Sequence, residues 1–341
     1  MANKDPLERE IIEAIATGLR INHACSKNIV GLDRKDYDFR SSYHLQQLTV
    51  SFDDGSQLPM LLKDLSAKNV PPEIARARPD FLYCAEREIG VYSEFLSNVM
   101  LDTAQLYATA VDYDLGRFWL FIEKVAGREL YQFGELEIWQ AAARWLARFQ
   151  RECANFSLDY NALKPLVWDG VNFTRLFEIA QVQLADGESF GSGALERFRP
   201  VADTFRAAID TLVASSQTLV HGEFYASNIL VRDRSGNICP IDWETAGWGS
   251  RLIDLAALIS GNWNETQRAA IIDAYWSALS DSQKFDWTSP DAFQKELIAS
   301  RLLLAMQMLC RPSDWSPPDA HRQNWLVDAE HMAQLFHQVR P

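Results

Sequence analysis

The sequence predicts an α+β chain of two unequal lobes, a small β-rich N-terminal lobe and a larger, mainly helical C-terminal lobe. Three observations carry this prediction. Strand patterns separated by turn signals cluster between residues 43 and 123, helix-period patterns dominate after residue 124, and 341 residues suit about two domains at roughly 150 residues each.

The elements follow in order. Residues 6–19 read as an amphipathic helix, with Leu7, Ile11, Ile15 and Leu19 on one face and Pro6 in the first turn. Tyr43 to Phe52 and Leu58 to Leu65 read as strands joined by the turn Asp53-Asp54-Gly55-Ser56. Pro71 and Pro72 break the chain, and residues 80–99 read as one helix with Ile89, Tyr92, Leu96 and Val99 on a buried face. Leu106 to Tyr113 and Arg117 to Glu123 form a second strand pair around Asp114-Leu115-Gly116. Beyond the boundary near Glu123 to Gly127, Glu137 to Cys153 is a strong helix pattern, 157–200 is less regular, and Arg199 to Ser215 is helical. A short β patch spans 228–242, and the chain from Asp254 onward is mostly helical. The expected division is residues 1–123 and 124–341, with a ligand cleft between them.

Composition narrows the function classes. Hydrophobic residues make up 48% and charged residues 23%, which supports a sizeable core rather than disorder. The 33 basic and 46 acidic residues give a net charge of −13, against a nucleic-acid partner and against a polybasic membrane-surface protein. The five cysteines are widely spaced with no CxxC pair, so neither a disulfide framework nor a Cys-based zinc site is expected. The N-terminus is charged from Lys4 with no apolar h-region, and the apolar run Leu302 to Leu309 is too short to span a bilayer. A reducing cytoplasm is the expected location.

The segment 219–244 concentrates the polar chemistry. Glu223 follows His221-Gly222, Asn228 lies five residues later, and Asp242 lies across an expected hairpin that turns at Ser235-Gly236-Asn237. The hairpin brings its ends together, so Asn228 and Asp242 should be neighbours. An amide oxygen beside a carboxylate makes a hard-oxygen set suited to magnesium with phosphates. Glu223 is placed to orient or deprotonate a hydroxyl.

This segment resembles the aminoglycoside phosphotransferase and choline kinase family, relatives of protein kinases, whose catalytic loop H-G-D-x-x-x-x-N precedes a hairpin and an I-D-W-E-like motif. Here the matching residues run from His221-Gly222-Glu223 to Asn228, then Ile241-Asp242-Trp243-Glu244. Asp254 matches an Asp that braces the catalytic loop from the next helix. The resemblance extends from about residue 40 to 260 and implies a protein-kinase-like fold that uses ATP, or another nucleoside triphosphate, and Mg2+. It implies that Lys63 holds the nucleotide phosphates, Glu88 pairs with Lys63, and Asn228 and Asp242 bind the metal. Glu223 takes the proton of the attacking hydroxyl, and the hinge at Glu123 and Val125 holds adenine through its backbone.

Two departures stand out. The base position carries Glu223 where the family has Asp, and one extra methylene moves the carboxylate by about an ångström. The stretch Gly31 to Ser42, expected to cover the phosphates, has no G-x-G-x-x-G and offers Ser41 and Ser42 instead. The main expectation is phosphoryl transfer to a hydroxyl of an antibiotic-, sugar- or choline-like small molecule. The rivals are a kinase acting on Ser or Thr of a peptide and a pseudokinase that binds nucleotide without transfer. Plainer roles apply to single residues. His221 braces the loop, Trp243 is core, Glu244 either reaches a second metal position or faces solvent, and Lys63 and Glu88 taken alone could be a surface lysine and a solvated helix acid.

Overall fold

The computed structural model describes residues 5–37, 43–72, 75, 79–156, 159–185, 190, 193–284, 286–311 and 319–339. Helix α1, Pro6–His23, begins where the Asp5 carboxylate accepts the Leu7 amide at 3.2 Å. It ends at Ala24, whose left-handed backbone (φ 49°) closes the last turn. Strands β1 (Ile29–Asp36), β2 (His44–Phe52), β3 (Gln57–Asp64), β4 (Leu106–Asp112) and β5 (Arg117–Glu123) form an antiparallel sheet in the order β1-β2-β3-β5-β4. Gly31 therefore lies in a strand rather than in a phosphate-covering loop.

Strand alternation sorts the side chains of this sheet. Met60 and Leu62 of β3 join Ile11, Ile15 and Leu19 of α1 in one apolar core, while Leu61 and Lys63 face the opposite side. Gly18 lets α1 press onto β4, since a Cβ there would stand 2.2 Å from that of Ala108.

The single helix expected over 80–99 is broken. A 3-10 turn at Asp80–Leu82 precedes α2, Ala85–Gly90, which widens into a π-type turn at Val91–Phe95 and tightens again at Leu96–Asn98. The wide turn buries Tyr92 and Phe95 together, and the hydroxyls of Ser93 and Ser97 bond to the Ile89 and Tyr92 carbonyls.

After β5 the chain forms β6 (Gly127–Glu129) and α3 (Leu136–Asn155). The region read as irregular contains β7 (Leu166–Val167) and a full helix α4 (Gly170–Ala185). Helix α5 spans Ala194–Ala214, five residues earlier than expected at its start, and carries Pro200 inside it. Strands β8 (Gln217–Val220), β9 (Ile229–Arg232), β10 (Ile238–Pro240) and β11 (Gly247–Ser250) follow. The small sheets are β10-β9-β6 and β7-β11-β8. Helices α6 (Leu252–Leu258), α7 (Glu265–Ala278), α8 (Pro290–Leu309) and α9 (Asp319–Gln338) complete the helical part. All five cysteines are free. Among the described residues no helix is long and apolar enough to cross a membrane.

Candidate active site

The sheet, helix α2 and the hairpin β9–β10 converge on one cleft. Lys63 reaches into it from β3. Its ammonium sits 2.6 Å from Glu88 Oε2 and also pairs with Asp242, although Lys63 is only 4% exposed and Glu88 1%. Burial would drive the ammonium toward neutrality, but the carboxylates of Asp242, Glu88 and Glu244 outweigh it and raise its pKa well above normal. Three carboxylates around one ammonium leave an excess of negative charge, which suits a divalent cation brought with phosphates. Helix α2 grips the Asp242 segment twice more. Glu88 Oε1 accepts the Trp243 amide at 3.3 Å, and the buried Arg87 guanidinium donates to the Glu244 carbonyl at 2.7 Å.

The catalytic-loop segment is fixed from below. Strand β8 runs into His221 and Gly222, whose amides donate to Asp254 Oδ2 at 2.7 Å and Oδ1 at 2.9 Å, so this carboxylate on α6 braces the loop. Gly222 has φ +84°, and a Cβ would stand 2.5 Å from the Thr245 carbonyl oxygen, so glycine is required there. Asn228 donates its amide to the Glu223 carbonyl at 3.0 Å, and its own carbonyl accepts the Ile241 amide at 2.9 Å. The two ends of the hairpin meet, as its spacing predicts. Asp242 follows with φ +66°, a left-handed conformation that Asp and Asn tolerate better than most residues.

His221 is fully buried and edges the Trp243 ring at 4.5 Å between centroids. Its Nε2 bonds to the Ile241 carbonyl at 2.9 Å, and its Nδ1 accepts the Glu223 amide at 3.3 Å, which fits the neutral Nε2–H tautomer. Burial pushes its pKa down to about 4 from 6.5. The folded state therefore binds fewer protons than the unfolded chain between these values. Its own contribution to stability is full above pH 6.5 and is lost as pH drops toward 4, about 3 kcal/mol at 1.36 kcal/mol per unit, while the buried carboxyls of Glu88 and Asp254, both pushed up to about 7, act in the opposite sense. Urea unfolding is expected to show the wild type losing about 3 kcal/mol more than His221→Gln between pH 6.5 and 4. An equal slope in both proteins contradicts the assignment.

The cleft has a volume of about 310 Å³. Leu45, Leu61 and Ile122 line it from the sheet and Leu230 and Ile241 from the hairpin, while Glu123, Lys124 and Val125 edge it. Glu123 also bonds away from it. Its carboxylate accepts two hydrogen bonds from Arg232 at 2.6 and 2.9 Å, and its amide donates to the Gln105 carbonyl at 2.8 Å. Arg232 further bonds Asp102 at 2.6 Å, tying the hinge to the hairpin. Ser41 and Ser42 lie outside the described residues.

Glu223 carries the feature that sequence reasoning missed. Arg311, just past α8, donates to Glu223 Oε1 at 3.1 Å. Arg87 was likewise hidden in the charged run Glu86-Arg87-Glu88, and Glu244 is buried rather than solvent-facing. Among the described residues no group of three His, Cys, Asp or Glu could hold a metal by itself. Asn228 and Asp242 line the cleft, and an amide oxygen and a carboxylate are groups that could hold a hard cation beside phosphates.

Comparisons with known proteins bear on the family and the fold. A model of the phosphotransferase enzyme family (APH) matches residues 46–293. No curated protein matches the chain by sequence. Among solved structures, a microcompartment-associated aminopropanol kinase is similar with a TM-score of 0.63 at 14% identity, covering 95% of this chain and 98% of that one. An ethanolamine kinase from Plasmodium vivax gives 0.58 at 12% identity, covering 100% and 97%. An amicoumacin kinase in complex with AMP-PNP, Ca2+ and Ami gives 0.58 at 12% identity, covering 98% and 100%.

Proposed function

Because the chain belongs to the phosphotransferase enzyme family, we propose that it transfers the γ-phosphate of ATP to a hydroxyl of a small molecule with the help of Mg2+. In this reading residues 1–123 bind the nucleotide and 124–341 carry the catalytic loop and the acceptor site. The observation that carries it is Lys63 held between Glu88 and Asp242 in a cleft that Asn228 also lines.

Lys63 holds the phosphates, and Glu88 keeps its ammonium aimed at them. The apolar walls take the adenine, with the hinge backbone at Glu123 and Val125 beside it. Asn228 and Asp242 are the residues to hold Mg2+, which neutralises phosphate charge when bound. Glu223 accepts the proton of the attacking hydroxyl, and Arg311 holds its carboxylate in place. Positioning and charge neutralisation supply most of the acceleration. The intact set of Lys63, Glu88, Asn228 and Asp242 supports transfer over a pseudokinase role.

ADP release with a panel of alcohols, measured with and without Mg2+, tests this proposal. Acceptor-dependent ADP release that chelation abolishes is the expected result. Nucleotide binding with no transfer to any alcohol would sink it.

A further inference from the structure

Beside the catalytic loop, helices α8 and α9 enclose a second cavity of about 260 Å³, lined among others by Tyr225, Ser260, Arg301, Leu304, Met308 and Asp328. Tyr225 is two residues past Glu223, and its phenol feels the charges of the Glu223 and Arg311 side chains, which places this cavity beside the base. On α8, Arg301, Leu304, Met308 and then Arg311 follow helical spacing along one stripe. Arg311 reaches Glu223, and Arg301 lies ten residues, about 15 Å of helix, further along.

Two polar groups at this cavity lack partners. The Tyr225 hydroxyl is buried without a hydrogen bond. Among the described residues no hydrogen bond or ion pair reaches the Arg301 guanidinium, although Asp328 borders the same cavity. Burial and the nearby Arg268 cation push the Arg301 pKa down to about 10, which leaves it charged at neutral pH. This half-buried guanidinium, with Asp328 as a charged neighbour, keeps a fork that matches the oxygens of a carboxylate or phosphate. A cationic headgroup would enter against that charge.

We infer that this cavity is the acceptor subsite and that it takes an alcohol bearing an anionic oxo group, held by Arg301 with the Tyr225 hydroxyl, remote from the hydroxyl that Glu223 addresses. The inference rests on the phosphotransferase reading, and it separates this chain from an enzyme selecting amino alcohols.

The probes are ω-hydroxycarboxylic acids of increasing chain length, their primary amides, and amino alcohols, each offered with Mg-ATP. The acids are expected to show kcat/KM at least about tenfold above their amides, through KM. Arg301→Gln is expected to collapse that difference, with Arg301→Lys between the two and KM for ATP confirming a folded nucleotide site. Equal handling of acid and amide, or preference for amino alcohols, overturns the inference. Calorimetry of the acids with AMP-PNP present separates the two levels. Arg301-dependent binding without transfer supports the subsite and overturns the phosphotransferase reading instead.

Discussion

Glu223→Gln is expected to lower kcat by about a hundred- to ten-thousandfold, the usual worth of a positioned general base. The amide keeps the shape of the side chain but cannot take the hydroxyl proton. KM for ATP should change little, because Glu223 does not line the nucleotide cleft. Glu223→Asp is the more telling variant. The family pattern that this loop resembles has Asp at this position, yet here the longer carboxylate is anchored by Arg311 at 3.1 Å. Shortening it by one methylene withdraws the oxygen from Arg311 and from the acceptor by about an ångström, a displacement worth on the order of a hundredfold. Glu223→Asp is therefore expected to be slower than the wild type. Steady-state kinetics with one acceptor read both variants. Undiminished turnover in Glu223→Gln removes the base assignment.

Asp242→Asn is expected to cost about a thousandfold in kcat/KM, about 4 kcal/mol of transition-state stabilisation at 1.36 kcal/mol per tenfold. The fold should not suffer. Asn accepts the left-handed φ of +66° at least as well as Asp. The substitution also removes one of three carboxylates crowded around Lys63, whose ammonium keeps Glu88 at 2.6 Å. Thermal unfolding of the nucleotide-free protein should thus stay level or rise while activity falls, the pattern of a site held for function at a cost in stability. A strongly lowered unfolding temperature would mark Asp242 as a structural residue.

Much of this site was legible in the sequence because its members sit at fixed spacings within single elements. The family resemblance paired Lys63 with Glu88, the hairpin brought Asn228 to Asp242, and the helical spacing of Ile89 and Tyr92 put α2 against the core. The arginines were not legible. Arg311 meets Glu223 across 88 residues, Arg232 meets Glu123 across 109, and Arg87 meets the Glu244 carbonyl across 157. Periodicity gives the face of an element, not the distant partner that face meets.

The missed elements have local causes. Helix α4 has Phe173, Leu176, Phe177, Ala180 and Leu184 at helical spacing, but it opens on Gly170-Val171-Asn172 and holds Thr174, all weak helix formers. Helix α5 begins at Ala194, five residues before the expected start at Arg199, with Pro200 inside its first two turns. Strands β7, β8 and β11 span two to four residues, too few for alternation to register.

The charge balance gains meaning from the placement of these groups. The net −13 raised the question of whether the acidic excess gathers around the acceptor. Negative charge does gather where Glu88, Asp242 and Glu244 surround Lys63, the place proposed for a metal and phosphates. On the inferred acceptor side each acid has a cation beside it, Glu223 with Arg311 and Asp328 with Arg301.

The most direct test of the account is calorimetric titration of AMP-PNP into wild-type protein and Asp242→Asn, each with and without Mg2+. The account predicts tight binding to the wild type only when Mg2+ is present, and loss of that Mg2+ dependence in Asp242→Asn. Nucleotide binding indifferent to both the metal and the substitution would contradict it.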